Sequence, residues 1–441
     1  VLAPAILDWL ARRRLGRERS RGRRRVVFIL LFVALTAFVI FAVERHNRQT
    51  RELIQAYEQR DRNHSVSLAS SATQSNDPDL SINLALEALK VMRTPEAEEA
   101  LKKALNRPER TVIYGHTGGV RSAAFSPDGT LIVTAGDDST ARVWREVGGM
   151  WIWDTSLDHP DWVSDVEFSP DGKFVVTACK DGIARIWGVG SWEEVTWLDG
   201  HQGSITDTAL SPDGTLIVTA GEDRTARVWR LVNGRWETLK VLKGHTGPVQ
   251  AAAFSHDGAY MVTASRDGTA RIWETGTWRQ VQALDAHQSV LRGAAFSPDG
   301  RMLVTAGENN LALVWRKEGG SWHATKTTLQ HAESVIHANF SPDGKLLVTT
   351  SQDNNARIWD VETEGNPTYL SGHDNDVNDA RFSPDGGFIV TSSDDKTARV
   401  WKVRVDPAET SGTLDELKEI ARSRVQRELT RQERIQYLLR F

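Results

Sequence analysis

Histidine, aspartate and tryptophan recur together in this 441-residue chain, and the first two are the residues an acid–base catalyst would use. Histidines stand at His116, His159, His201, His245, His287, His331 and His373. Aspartates follow at Asp138, Asp181, Asp223, Asp267, Asp353 and Asp395, with Asn309 in the fifth place. A tryptophan closes each set: Trp144, Trp187, Trp229, Trp273, Trp315, Trp359 and Trp401. Successive tryptophans are 43, 42, 44, 42, 44 and 42 residues apart, and the histidines repeat with the same six spacings. A catalyst needs one constellation, not seven copies of it. Residues that return at one place in every unit read as structural. A buried aspartate needs donors and a buried tryptophan N–H needs an acceptor. A satisfied network of that kind specifies one packing.

Other chemistry finds little support. His46, His64, His256, His323 and His337 lie outside the frame, and none has a matching serine, cysteine or carboxylate pattern. No His-x-x-x-His spacing suggests a metal site. Cys179 is the single cysteine, so there is no intrachain disulfide and no cysteine metal site. No phosphate-binding Gly-x-x-x-x-Gly-Lys-Ser/Thr loop occurs. No catalytic, cofactor-binding or metal residue is assigned.

The elements that position the recurring set read as strands. Val120 to Phe125 is a short apolar run. Ser126-Pro127-Asp128-Gly129 is a turn, with proline presetting φ and glycine supplying positive φ. Leu131 to Ala135 is apolar and β-branched, a buried strand. Asp137-Asp138-Ser139 turns again, Thr140 to Trp144 makes a third strand, and a more variable fourth carries Trp151 and Trp153. Four strands per unit at this period is the signature of a propeller. Seven units predict an all-β, seven-bladed propeller.

The phrase Gly-His … Ser-Pro-Asp-Gly … Asp-x-x-x-Ala-Arg-Val-Trp resembles the WD-repeat family over residues 109–405, although a literal Trp-Asp pair survives only at Trp359-Asp360. The resemblance implies that a His, a Ser/Thr, an Asp and the Trp lock each blade, the first set being His116, Thr134, Asp138 and Trp144. Blade five departs, with Asn309 and with Leu313 in place of the usual arginine, and is expected to be the least well tied. Thr111 to Tyr114 precedes the first histidine, and no fourth strand follows Trp401. These residues are therefore expected to pair with Thr397–Lys402 and close the ring, which removes exposed edges. The resemblance also implies a face on which partners meet the residue before each Asp and the start of each first strand. Carried onto this chain, those positions include Arg121, Trp162, Lys180, Gln250, Arg266, Leu291, Ile336, Gln352, Asn378 and Asp394. Trp162 is the foremost, as an exposed tryptophan is a typical anchor; packing over the blade-two loop is the alternative.

Residues 26–43 hold no charge and one threonine. As a helix they would run about 27 Å, close to the ~30 Å of a bilayer core, so a retained transmembrane helix is expected. A buried core helix and a cleaved signal peptide are the rivals. Residues 1–25 carry nine arginines and two acids, and residues 44–62 five arginines and four acids. By the positive-inside rule the N-terminus is cytoplasmic and the propeller extracytoplasmic. Residues 44–108 read as a helical neck: a long polar helix over Glu44–Thr73, a helix over Asp79–Met92, and a helix over Glu96–Leu105 capped by Thr94-Pro95-Glu96. In the tail, 406–441, Thr413-Leu414-Asp415-Glu416 and Thr430-Arg431-Gln432-Glu433 match capping boxes. Leu414, Leu417, Ala421, Val425 and Leu429 form an apolar stripe, expected to dock on the side of the propeller, with a partner or another copy of the chain as the alternative.

Charge is uneven. Residues 1–62 are net +8, the tail 413–441 is +2, and 63–412 is −14 within a total of −4. An acidic propeller does not seek phosphate backbones, which argues against a nucleic-acid partner. The order of basic segment, span, "DPDLSINLALEAL", "TPEAEEALKKAL", repeats and basic helical tail resembles the C-terminal half of bacterial STAND-class signalling NTPases. With a first residue of valine, the chain is expected to be part of a longer polypeptide. The resemblance implies a non-catalytic, membrane-anchored recognition arm with a protein or peptide partner. An autoinhibitory clamp on a missing NTPase domain and an enzyme site in the propeller channel are the alternatives.

Overall fold

The computed structural model describes residues 21–75, 78–105, 109–285, 288–362, 366–403, 414–425, 429 and 433–438. Seven four-stranded antiparallel sheets are arranged as blades, and in six of them the four strands follow in sequence order from the axis outward. The seventh is completed by Glu109–Ile113, which pairs antiparallel with Ala398–Lys402, Val112 opposite Arg399 and Ile113 opposite Ala398. The first strand of the propeller thus fastens the last blade.

The repeated turn explains why the strands start where they do. Gly129 has φ +72°, Ser126 Oγ donates to Asp128, and Leu131 N donates back to Ser126 Oγ at 2.9 Å. The second strands, such as Leu131–Gly136 and Phe388–Ser393, are buried almost throughout, and their apolar side chains fill the seams between neighbouring blades.

Every innermost strand carries a bulge after its first residue, for example between Val120 and Ser122 and between Val377 and Asp379. A bulge leaves one residue unpaired and re-aims its side chain. The first strand residue therefore points into the core and the second into the axial opening.

Outside the propeller, α1 (Arg21–Gln74) is one continuous helix of 54 residues. Leu30 to Val43 are largely exposed, and the helix is long and apolar enough to cross a membrane by length and composition. Its last turns pack with α2 (Pro78–Val91) and α3 (Pro95–Leu105) through Leu68, Ala72, Leu84, Ala88, Leu101 and Ala104. Small residues at the contact let the helices approach. Ser65 Oγ seals the joint by donating to Met92 O at 2.8 Å, and Thr94 Oγ1 caps α3 by accepting from Ala97 N at 3.2 Å.

The tail differs from expectation. Helix α4 (Leu414–Arg424) buries Leu417 and Ala421 in this helical core, with Leu414, Val425, Tyr437 and Leu438 against it. It docks on the neck and not on the propeller's side. The neck already offers a dry groove lined with alanine and leucine, the complement an apolar stripe needs. Arg434–Leu438 forms a short π-helical turn.

Candidate functional site

The structural network comes first, because it fixes where the loops stand. In blade one the Trp144 N–H donates to Thr134 Oγ1 at 2.9 Å, His116 Nε2 lies 2.8 Å from the same hydroxyl, and His116 Nδ1 lies 3.0 Å from Asp138. Asp138 as acceptor places the proton on Nδ1, so Nε2 accepts from the threonine hydroxyl. Thr219, Thr263, Thr349 and Thr391 play the same part for His201–Trp229, His245–Trp273, His331–Trp359 and His373–Trp401. Their aspartates are Asp223, Asp267, Asp353 and Asp395. Burial pushes the Asp138 and Asp395 carboxyls up, but the imidazoles and neighbouring donors outweigh it and hold both below the usual range. In blade five Trp315 donates to Thr305 at 2.8 Å; His287 lies outside the described residues.

Blade two is built differently. His159 keeps Thr177 at 2.8 Å but turns Nδ1 to Leu157 O at 3.0 Å, while Asp181 pairs with Arg185 at 2.7 Å. Blade two alone carries a proline, Pro160, after its histidine. In blades one, three, four, six and seven the residue after the histidine donates its backbone N–H to the aspartate, as Thr117 does to Asp138 at 2.9 Å. Proline has no N–H to give. Burial without a carboxylate partner takes His159 down to about 4.

On this frame the bulged residues Arg121, Ser164, Thr206, Gln250, Ile336, Arg292 and Asn378 surround the axial mouth, a depression of about 450 Å³. Lys180, Glu222, Arg266, Gln352 and Asp394, each preceding a network position, stand round it. Eight of the ten residues picked from the sequence therefore share one cavity. Trp162 stands beside it, 39% exposed, with Lys180 Nζ 3.8 Å from its ring centre. Leu291 does not belong: it is 1% exposed, in the core between blades four and five. The bulge makes Arg292 the outward residue, and it meets Glu308 at 2.5 Å.

The mouth is part paired, part free in character. Arg121 bridges Asp137 and Asp394, Asn378 Nδ2 donates to Asp394 at 2.7 Å, and Gln352 Nε2 donates to Asp376 at 2.9 Å. The hydrogen bond that Arg121 donates to Asp137 leads the effects that raise its guanidinium above its ordinary value. Lys180, Glu222 and Arg266 are exposed on neighbouring blades two, three and four.

Deeper, the third residue of each innermost strand is Ser122, Asp165, Asp207, Ala251, Gly293, His337 or Asp379. Two residues further lie Ala124, Glu167, Ala209, Ala253, Ala295, Asn339 and Arg381. Arg381 reaches Asp379 at 3.0 Å and, across blade one, Asp165 at 2.8 Å. His337 Nδ1 lies 2.8 Å from Asp379 Oδ1, a close polar contact without hydrogen-bond angles. Apart from His337, these deep residues were not singled out from the sequence; aligning the repeats column by column exposes them, since alanine or glycine holds the same columns in blades four and five. Among the described residues no group of three or more His, Cys, Asp or Glu side chains could hold a metal ion.

Seven segments match the WD40 family, described as WD domain, G-beta repeat: 107–145, 154–188, 192–230, 236–274, 278–316, 323–360 and 366–402. Among curated proteins, the ribosome biogenesis protein erb1 of Aspergillus clavatus is 46% identical over 54 residues, which is 12% of this chain and 7% of that protein. ERB1 of Chaetomium thermophilum is 39% identical over 56 residues, 13% and 7% of the two chains. The erb1 of Botryotinia fuckeliana is 36% identical over 72 residues, 16% and 9%. The matched region spans less than a tenth of each of these relatives.

These relatives overturn the expected localisation, a single-pass membrane protein with a cytoplasmic N-terminus and an extracytoplasmic propeller. They are fungal and named for ribosome biogenesis. One apolar helix near the N-terminus carries little weight against that, because signal sequences and core helices meet the same test of length and composition.

Proposed function

This chain belongs to the WD-repeat family, and on that premise we propose that it is a non-catalytic protein-interaction platform whose recognition surface is the axial mouth bearing the bulged residues. The carrying observation is the contrast between columns. The network columns hardly vary from blade to blade, whereas the bulge column holds Arg, Ser, Thr, Gln, Arg, Ile and Asn in turn. Function on a repeated frame resides in what differs between copies. Trp162, stacked under Lys180 at the rim, is the anchor, and Lys180, Glu222 and Arg266 supply charge selectivity. The partner is a protein or peptide; the acidic character of 63–412 disfavours nucleic acid.

Peptides selected by display on the full chain test this. The Trp162→Ala and Lys180→Glu/Arg266→Glu variants should weaken the selected peptides about tenfold or more, as loss of an anchor does. Lys173→Glu, exposed on the turn of blade two, should not. Equal binding by all variants would sink the reading.

The finer reading is a recognition arm within a larger signalling protein, with a clamp on an NTPase domain as its rival. It is supported by the tail returning to the neck, so that both flanks of the propeller run through one helical bundle. A role in ribosome biogenesis, for which the relatives are named, would use the same surface.

A further inference from the structure

The axis is crossed by charge. Arg381, on the innermost strand of the closing blade, holds Asp379 on its own strand and Asp165 on blade two. Two more carboxyls lie within electrostatic reach of the same guanidinium: Glu167, which accepts from Leu210 N at 3.1 Å, and Asp207, which accepts from Ala252 N at 2.7 Å. His337 of blade six adds the second basic group. Strand Val249–Phe254, against Asp207, brings no titratable side chain. Four carboxyls thus crowd one guanidinium and one imidazole in a partly enclosed space, where like charges repel strongly.

We propose that these six side chains form a proton-linked clasp across the axis, closed while Glu167 and Asp207 carry protons and loosened when they ionise. Asp379 and Asp165 are the two carboxyls that contact Arg381 directly. Ionising the other two sets blades two, three and seven against each other beneath the mouth. Burial takes Glu167 up to about 8, and burial together with the Asp165 charge raises Asp207 well above the ordinary range. Asp379 moves the other way: burial raises it, but His337 and Arg381 outweigh that and keep it ionised. The clasp needs no ligand, so its test and that of the interaction surface fail separately.

The test is thermal unfolding of the full chain from pH 5 to pH 9, followed by tryptophan fluorescence, since every tryptophan but Trp9 lies in the repeats. A carboxyl raised in the folded state stabilises fully below its unfolded value of 4.5, and that stabilisation is lost as pH rises through about 8. Wild type should therefore lose several degrees of Tm over this range relative to Glu167→Gln/Asp207→Asn, whose profile should be flatter. Parallel profiles overturn the proposal. Amide exchange on wild type alone gives a second measurement should the double variant not fold. After correction for intrinsic rates, Val163–Phe168 and Val377–Phe382 should lose protection between pH 7 and pH 9 relative to Leu291–Phe296. Uniform protection across the three strands overturns it as well.

Discussion

Pro160 shows how one backbone donor sets a side-chain network. Without its N–H, Asp181 turns to Arg185 and His159 to a carbonyl. Pro160→Thr restores the sequence of blades one and four at this place, and a crystal structure should then show His159 Nδ1 within hydrogen-bond distance of Asp181. An unchanged His159 rotamer would mean that the bond to Leu157 O and the His159–Trp187 ring contact hold the histidine instead. The threonine at the centre of each network carries more energy. Thr219→Val strands both His201 Nε2 and the Trp229 N–H in a dry interior, at a cost of about 2–4 kcal/mol by urea denaturation. Acid works on the same residues. The histidines His159, His201, His245, His331 and His373 are depressed by burial, so stability present above their ordinary 6.5 is lost as pH falls, for His159 through about 4. The depressed network aspartates extend the loss below pH 4. In the Glu167→Gln/Asp207→Asn background, which lacks the opposing gain from those two carboxyls, the urea midpoint should fall steadily from pH 6.5 downward; a flat profile to pH 4 there would contradict buried, neutral histidines. The histidine, aspartate and tryptophan columns were legible because seven copies agree. The Pro160 exception was legible too, yet only to a reader who knew which backbone N–H the column supplies.

Elements repeat a geometry that residue types do not always suit. The residue after each network aspartate is left-handed: Ser139, Gly182, Arg224, Gly268, Asn310, Asn354 and Lys396 hold this place, with Arg224 at φ +66° and Lys396 at φ +72°. A Cβ is unfavourable there by roughly 1–2 kcal/mol. Arg224→Gly and Lys396→Gly should each stabilise the chain by about 0.5–1 kcal/mol after the entropy of glycine in the unfolded state is set against that. Chemical denaturation measures it, and destabilisation would show that the side chains make contacts worth more than the strain. The strands themselves were readable from alternating turns and β-branched runs. The bulge was not. A glycine flanks it only in blade five, at Gly293, and a one-residue shift in an innermost strand exchanges core for mouth. The column itself is countable: Arg121, Gln250, Ile336 and Asn378 each stand five residues after their histidine, the same count from His287 gives Arg292, and Leu291 is one residue out of register. The deep layers were hidden for a related reason: Glu167 and Arg381 look like ordinary charged strand residues until seven strands are brought round one axis.

The whole molecule has two separate interiors. One is the ring of seams between blades, closed by Glu109–Ile113; the other is the helical core of α1, α2, α3 and α4. The tail helix was readable from its stripe, but its destination was not, because an apolar stripe states only that something dry must cover it. The neck provides that cover: Leu417 and Ala421 are fully enclosed among leucines and alanines of the other three helices. Coupling between the two interiors follows from how few groups they share. Leu417→Asp puts an unpaired carboxylate into the helical core, a penalty of several kcal/mol that a small bundle cannot absorb. The tail should detach, with limited proteolysis cutting within Leu414–Arg424 and far-ultraviolet circular dichroism losing helix. Tryptophan fluorescence should nevertheless report an unchanged unfolding midpoint, because the ring is closed by its own strand and, among the described residues, its apolar clusters hold no side chain of α4. A midpoint that falls together with the helix signal would show instead that the bundle braces the closing blade, and that ring closure and tail docking are one cooperative event.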